Sequence, residues 1–428
     1  MFRNRIQADL LNVVGLWNRR NIEKYCVVLL LTTAAVASQQ PVIGQTVISR
    51  GNWVATWSAS SVDNGSDAKH VRGQTVREIV HTSIGGNAVR LRISNKFGQE
   101  RLMIGAVHVA LRDTGSAVIL STDHSVTFSG QPSISVPPGT MVLSDPIPLR
   151  VPTQADLAIS IYIPQDVAER TIHPDAFQDS YLSPTGDFVG AASILNATTI
   201  QTWPFLVGLD VAVGASAATI VALGDSITDG TQSTPNSNQR WPNLLAERLF
   251  ARSSKNKFGV IDAGISGNRL LLDSGSAGPS ALERFDRDVL IQPGAQYVIV
   301  LEGINDVGAP GPYRPLSETV TAGDLIVAFR QLIARAHERG VKIFGCTLTP
   351  FQGAVPYYNL ANEAKREELN QWIRTSNAFD GVIDFDKALR DPKDPKRLLP
   401  QYESRDHLHP SDAGYKAMAD AIDLNLFQ

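Results

Sequence analysis

Two periodicities divide the chain. Between about residues 50 and 212, apolar positions alternate with polar ones. Val89, Leu91 and Ile93 are interleaved with Arg90, Arg92 and Ser94; Leu157, Ile159, Ile161 and Ile163 are interleaved with Ala158, Ser160 and Tyr162. A period of two puts one set of side chains on one face of a strand. Gly85-Gly86-Asn87, Asn95 to Gly98 and Pro137-Pro138-Gly139 punctuate these runs. Asp145-Pro146 and Val151-Pro152 fit turns and sheet edges. Short strands, frequent turns and no long helical stretch predict an antiparallel, jelly-roll-like β-sandwich over 45–214.

Near residue 215 the pattern changes. Continuous apolar runs predict buried strands over 218–223, 258–263, 297–303, 342–348 and 382–385. Helices are predicted over 241–252, 322–339, 363–375 and 412–424. Alternating strands and helices imply a parallel sheet covered on both faces, a three-layer α/β/α domain over 215–428. No Ser/Gly-rich linker separates the halves, so they are expected to pack together.

The first 37 residues carry a different signal. Arg3, Arg5, Arg19, Arg20 and Lys24 precede an apolar core from Cys26 to Ala37, and Ala35-Val36-Ala37 fits a small-residue cleavage site. Residues 1–37 therefore read as a secretory signal peptide, with an uncleaved anchor as the alternative. Export to the periplasm or medium is the expectation, without stable membrane insertion after cleavage. Removal would leave Cys346 as the one cysteine, inside an apolar run where packing explains it. The chain has 428 residues, 43% of them hydrophobic, and a formal net charge of −3. Nothing in that balance points to nucleic acid, and no basic stripe with interleaved aromatics occurs.

The candidate chemistry sits where apolar runs end. Ile220 to Leu223 stops at Gly224-Asp225-Ser226. Val260-Ile261 leads to Ser266-Gly267-Asn268, and Tyr297 to Leu301 leads to Gly303-Ile304-Asn305-Asp306. Asp406-His407-Leu408-His409-Pro410 lies near the C-terminus. Ligands of an open parallel sheet bind beyond the carboxyl ends of its strands, so these segments converge on one crevice. Together they hold the parts of acyl transfer: a serine, a glycine N–H, an amide donor and an Asp/His pair. A serine needs a base to take its proton, and the base needs a partner to fix its tautomer. Asn305 can donate to an oxyanion, whereas an ionised Asp306 cannot. Asp225 and Asp306 read as loop-holding residues.

Gly-Asp-Ser, Gly-Asn, Gly-x-Asn-Asp and Asp-x-x-His-Pro, in this order, resemble the four blocks of the SGNH (GDSL-type) hydrolases across about residues 215–428. Ile227 stands where such proteins usually carry leucine. The resemblance implies a flavodoxin-like hydrolase domain. It implies Ser226 as nucleophile, His409 as base and Asp406 as its orienting partner. The backbone N–H groups of Ser226 and Gly267 and the side chain of Asn305 would form the oxyanion hole. No cofactor and no metal are implied. His407 and His409 beside Asp406 form an alternative metal reading, but no further cluster supplies the third and fourth ligands. His407 is also an alternative base, which the Asp-x-x-His-Pro spacing disfavours.

A β-sandwich ahead of such a domain resembles secreted GDSL-type esterases, several of which act on acetylated polysaccharides. That implies a short-chain, acetyl-type ester on a small molecule or glycan as substrate. The alternative is a lipase, arylesterase or thioesterase acting on larger acyl groups. Loops 271–278, 307–315 and 351–359 are expected to frame the crevice. Asn268, Tyr313, Phe351, Tyr357 and Tyr358 are the candidate substrate contacts. Trp53 and Trp57 are candidate sugar platforms, with a core or interface position as the competing reading. His81, His108, His124 and His173 show no ligand-like spacing and read as ordinary strand or surface residues.

Overall fold

The structure, a computed structural model, describes residues 52–214, 216–252 and 258–428. Residues 1–37, the segment expected to be a signal peptide, lie outside the described residues. No helix among the described residues is long and apolar enough to cross a membrane.

The alternating runs form antiparallel sheets. A four-stranded sheet orders Asn52–Ser58, Leu206–Val213, Val89–Ser94 and Met141–Leu143. A six-stranded sheet is centred on His70–His81, Asp156–Ala168 and Ala106–Leu111. Val89, Leu91 and Ile93 from one sheet and Leu157, Ile159, Ile161 and Ile163 from the other are buried in a common core. The period of two is thus the alternation between that core and the outer faces. Trp57 belongs to this core and meets Trp203 edge-on at 5.0 Å, while Trp53 lies under the Arg90 guanidinium at 4.4 Å. A small third sheet, Trp203–Pro204, Thr171–His173 and Val62–Asp63, lies at the border with the second half.

The antiparallel strands end at Val213 and a parallel sheet begins at Ala218. Its strand order is Phe258–Gly264, Ala218–Gly224, Ala295–Leu301, Lys342–Cys346 and Gly381–Ile383. The strand that leads to Ser226 is therefore internal, and all seven of its residues are buried. Helix Trp241–Arg252 packs with Asp412–Ala421, and Ala322–Glu338 packs with Leu360–Thr375. In Ala322–Glu338, Leu325, Ala328, Phe329, Leu332, Ile333 and Ala336 form the buried stripe. Thr321 and Asp324 close a capping box at its start. Helix Leu360–Thr375 begins three residues earlier than its apolar pattern predicts, because the Asn359 side chain accepts from the Asn362 N–H. The last strand stops at Ile383 because Asp384 caps a short helix, Phe385–Leu389.

The halves pack directly. Ser58 Oγ donates to the Asp262 carbonyl at 2.8 Å, and the Val260 N–H donates to Ser83 Oγ at 2.9 Å. A Cβ on Gly259 would lie 2.1 Å from the Ala55 carbonyl oxygen, so glycine lets the two backbones touch.

Candidate active site

Ser226 opens a four-residue helix, Ser226–Asp229, directly after the internal strand. Asp225 caps that helix, accepting from the Ile227 N–H at 2.9 Å. The turn is too tight for a side chain at position 224. A Cβ there would lie 2.0 Å from Thr228 Oγ1 and 2.7 Å from the Leu301 carbonyl oxygen. Gly230 ends the helix at φ 94°, in the left-handed region.

His409 reaches this serine from the C-terminal loop. Its Nε2 lies 2.8 Å from Ser226 Oγ, and its Nδ1 lies 2.6 Å from Asp406 Oδ2. The same Asp406 accepts from the Leu408 and His409 N–H groups, each at 2.9 Å. Burial works against the Asp406 charge, but these bonds and the imidazole hold its carboxyl well below the usual range. His407 points elsewhere: its Nδ1 lies 2.6 Å from Glu403 Oε2, and its backbone takes φ 60°. Among the described residues, no group of three or more His, Cys, Asp or Glu side chains is arranged to hold a metal ion.

Asn305 sits in a short helix at the end of the third strand and is buried. Its Nδ2 donates to the Asn268 carbonyl at 2.8 Å, and its Oδ1 accepts from the Tyr357 hydroxyl at 2.8 Å. A carbonyl can only accept, so this pairing fixes which way the amide faces. One of the two Nδ2 hydrogens remains for the cleft. The Ser226 and Gly267 N–H groups donate to no protein acceptor among the described residues. Gly267 takes φ 77°, a conformation that favours glycine.

The cleft, about 510 Å³, is lined by Ser226, Gly267, Asn305 and His409 together with Tyr313 and Tyr357. The rings of Tyr313 and Tyr357 are 5.6 Å apart. Three expected substrate contacts are corrected. Asn268 is fully buried: its Nδ2 donates to the Ala277 and Pro279 carbonyls, and its Oδ1 accepts from Arg284. Phe351 is fully buried in the core, and Tyr358 meets it edge-on at 5.3 Å instead of lining the cleft. Segment 271–278 also does not line the cleft. It folds back over Arg269, which donates to Ser274 Oγ and the Asp273 carbonyl. In its place the antiparallel half supplies Asp175 and Phe177.

Beneath the serine lies a buried charged cluster with no local sequence signal. Arg284, fully buried, donates to the Gly224 carbonyl at 2.9 Å, the Ala263 carbonyl at 2.7 Å and Asn268 Oδ1 at 2.9 Å. It also faces Glu302 and Asp288 at 3.4 and 3.1 Å. One cation thereby ties the ends of three strands. Burial raises Glu302 well above its ordinary value and pushes Asp225 up to about 7 and Asp306 up to about 6. Asp306 accepts from the Leu270 and Leu271 N–H groups, fixing the loop that follows Gly267. His173, which the sequence pattern leaves as an ordinary residue, is buried and contacts Asp229 of the serine helix. The two are 56 positions apart, so no local pattern could reveal the contact.

Residues 222–417 match the model of the GDSL-like lipase/acylhydrolase family. No curated protein sequence matches the chain. Among solved structures, a lipolytic protein of the G-D-S-L family from Desulfitobacterium hafniense DCB-2 is 22% identical, with TM-score 0.36, over 48% of this chain and 97% of its own. A GDSL-like lipase from Bacteroides thetaiotaomicron is 21% identical, with TM-score 0.35, over 49% and 87%. An acetylxylan esterase from Geobacillus stearothermophilus is 19% identical, with TM-score 0.39, over 50% and 95%.

Proposed function

Given that residues 222–417 form a GDSL-like lipase/acylhydrolase domain, and the protein is accordingly a carboxylic ester hydrolase, we propose that it cleaves short-chain acyl esters, acetyl esters of a glycan foremost, through Ser226, His409 and Asp406. The observation that carries this reading is the relay from Asp406 Oδ2 through both His409 ring nitrogens to Ser226 Oγ, with steps of 2.6 and 2.8 Å.

In the first half-reaction, His409 Nε2 takes the Ser226 proton as Oγ bonds to the ester carbon. The carbonyl π electrons move to oxygen, and the Ser226 N–H, Gly267 N–H and Asn305 Nδ2–H stabilise that oxyanion. Collapse expels the alkoxide, which takes the proton from His409 and leaves an acyl-serine. Water then repeats the sequence: His409 takes its proton, the carboxylic acid departs, and Ser226 recovers its hydrogen. Asp406 holds Nδ1–H throughout, keeping Nε2 free to accept. Small acyl groups are favoured because the cleft is open, with Tyr313 63% and Val355 88% exposed at its rim. An exposed rim gives little apolar enclosure for a long chain. The Tyr313–Tyr357 pair offers a face on which a sugar ring can stack.

The test is a substrate panel: p-nitrophenyl esters of increasing acyl length, alongside acetylated xylan and pectin oligosaccharides. A kcat/KM that peaks at acetate with release of acetic acid from a glycan supports the proposal. A rise toward long acyl chains refutes it.

A further inference from the structure

Asp229 closes the serine helix, but its carboxylate works for the neighbouring loop. Oδ2 accepts from the Ser266 N–H at 3.0 Å and from Ser266 Oγ at 2.9 Å. Ser266 directly precedes Gly267, whose N–H faces the cleft in the reading above. The other oxygen, Oδ1, lies 3.0 Å from His173 Nε2, and His173 Nδ1 lies 2.9 Å from the Ser60 carbonyl. Both ring nitrogens therefore face acceptors, and only an imidazolium can donate to both. His173 is 3% exposed and Asp229 is 1% exposed, so bulk solvent does not reach the pair. The Trp203 ring packs beside the imidazole at 5.5 Å.

We propose that His173 is a positioning residue for the oxyanion loop: a histidine of the antiparallel half that fixes Asp229, and through it Ser266 and the Gly267 N–H. This inference rests on the ester-hydrolase reading and deepens it. It gives the antiparallel half a part in catalysis that needs no contact with substrate. Other groups that face the ring are Asp175, Asp262 and Arg240. Burial alone would lower the His173 pKa, but the Asp229 charge and the two hydrogen bonds raise it to about 9. The sign follows: the pair contributes fully below the ordinary histidine range and is lost as pH rises through about 9. Above that pH one acceptor has no donor, and the anchor of Ser266 loosens.

Two variants separate positioning from mere stability, both assayed in the whole protein with p-nitrophenyl acetate. His173→Ala is expected to lower kcat by about tenfold or more with KM within about twofold, because the loss falls on transition-state charge. Asp229→Asn can rebuild a neutral network. Its Oδ1 accepts from Ser266, its Nδ2 donates to His173 Nε2, and Nδ1–H still reaches Ser60. The wild type is expected to lose kcat between about pH 8 and 10 as His173 deprotonates; Asp229→Asn should cost less than about tenfold near pH 7 and abolish that fall. Two results would overturn the proposal: a folded His173→Ala protein with kcat within about twofold of wild type, or an Asp229→Asn protein that keeps the wild-type alkaline fall. If His173→Ala does not fold, the Asp229→Asn profile decides alone. Absence of any Ser226-dependent turnover would refute the hydrolase reading itself, a different result from either.

Discussion

Asn305 offers the sharpest test of the oxyanion assignment, because the structure states what each of its atoms already does. Its Oδ1 is committed to the Tyr357 hydroxyl and one Nδ2 hydrogen to the Asn268 carbonyl, both at 2.8 Å. Only the second Nδ2 hydrogen can meet a developing oxyanion. Asn305→Ala removes that donor and should lower kcat by about 10²–10³, or ~2.7–4 kcal/mol of transition-state stabilisation. Tyr357→Phe leaves the donor but releases the grip on its carbonyl oxygen. Burial pushes the Tyr357 phenol up to about 12, so the hydroxyl remains a donor throughout a neutral assay. Losing one such bond is worth ~0.5–1.5 kcal/mol, a fall of about 2- to 10-fold. The assay is steady-state hydrolysis of p-nitrophenyl acetate, with thermal midpoints measured in parallel to show that each variant is folded. The ranking Asn305→Ala far below Tyr357→Phe, carried in kcat, is the expected result. If Asn305→Ala raised KM and left kcat within about twofold, Asn305 would be a ground-state contact and the argument would fail.

Ser226→Ala should abolish turnover and covalent labelling by an organophosphonate while the protein stays folded; wild-type turnover in a homogeneous variant would refute the nucleophile. His409→Ala should cost nearly as much as the loss of Ser226, because the members of a relay act as a unit, whereas His407→Ala should cost far less because its ring pairs with Glu403. Equal losses in kcat/KM would reverse that assignment. Dialysis against a chelator should leave activity intact, and activity that vanished and returned with zinc or manganese would require His407 and His409 to be reread as ligands.

What was legible in the sequence is what local pattern can carry. Alternation at 89–94 and 157–163 reported the sandwich because one face of each strand is buried in a shared core. The run 218–223 reported an internal parallel strand because both faces of that strand are covered. Ser226, Gly267, Asn305, Asp406 and His409 could be picked out because each follows a strand end or sits in a short spaced motif, and the structure brings all five to one cleft. Asn268 and Phe351 were misread for one reason: position after a strand end says that a loop is near the crevice, not which way a side chain turns. Asn268 turns inward because the loop after it needs a donor for two carbonyls, and the buried Arg284 needs an acceptor. Boundary errors at 360 and 383 came from caps, where one polar side chain overrides the apolar period.

The contacts that sequence pattern could not show share a property: each joins segments far apart in the chain through a buried charge. Arg284 reaches Gly224 across 60 positions, and His173 reaches Asp229 across 56. Burying such groups is costly unless every donor and acceptor is met, so neither is expected where apolar packing would serve. Packing is directionless at the scale of a hydrogen bond; a guanidinium or an imidazolium is not. Arg284 ties the carbonyls of Gly224, which ends the strand before Ser226, and Ala263, the last residue but one of the strand before the Gly267 loop. His173 and Asp229 tie that loop to the antiparallel half. On the positioning proposal, the spacing between Ser226 Oγ and the N–H groups proposed to receive the oxyanion depends on oriented hydrogen bonds from buried charged groups on two sides, not on loop sequence alone. On this argument, the antiparallel half cannot be removed without disturbing the proposed oxyanion hole, even though most of the candidate site lies beyond residue 222.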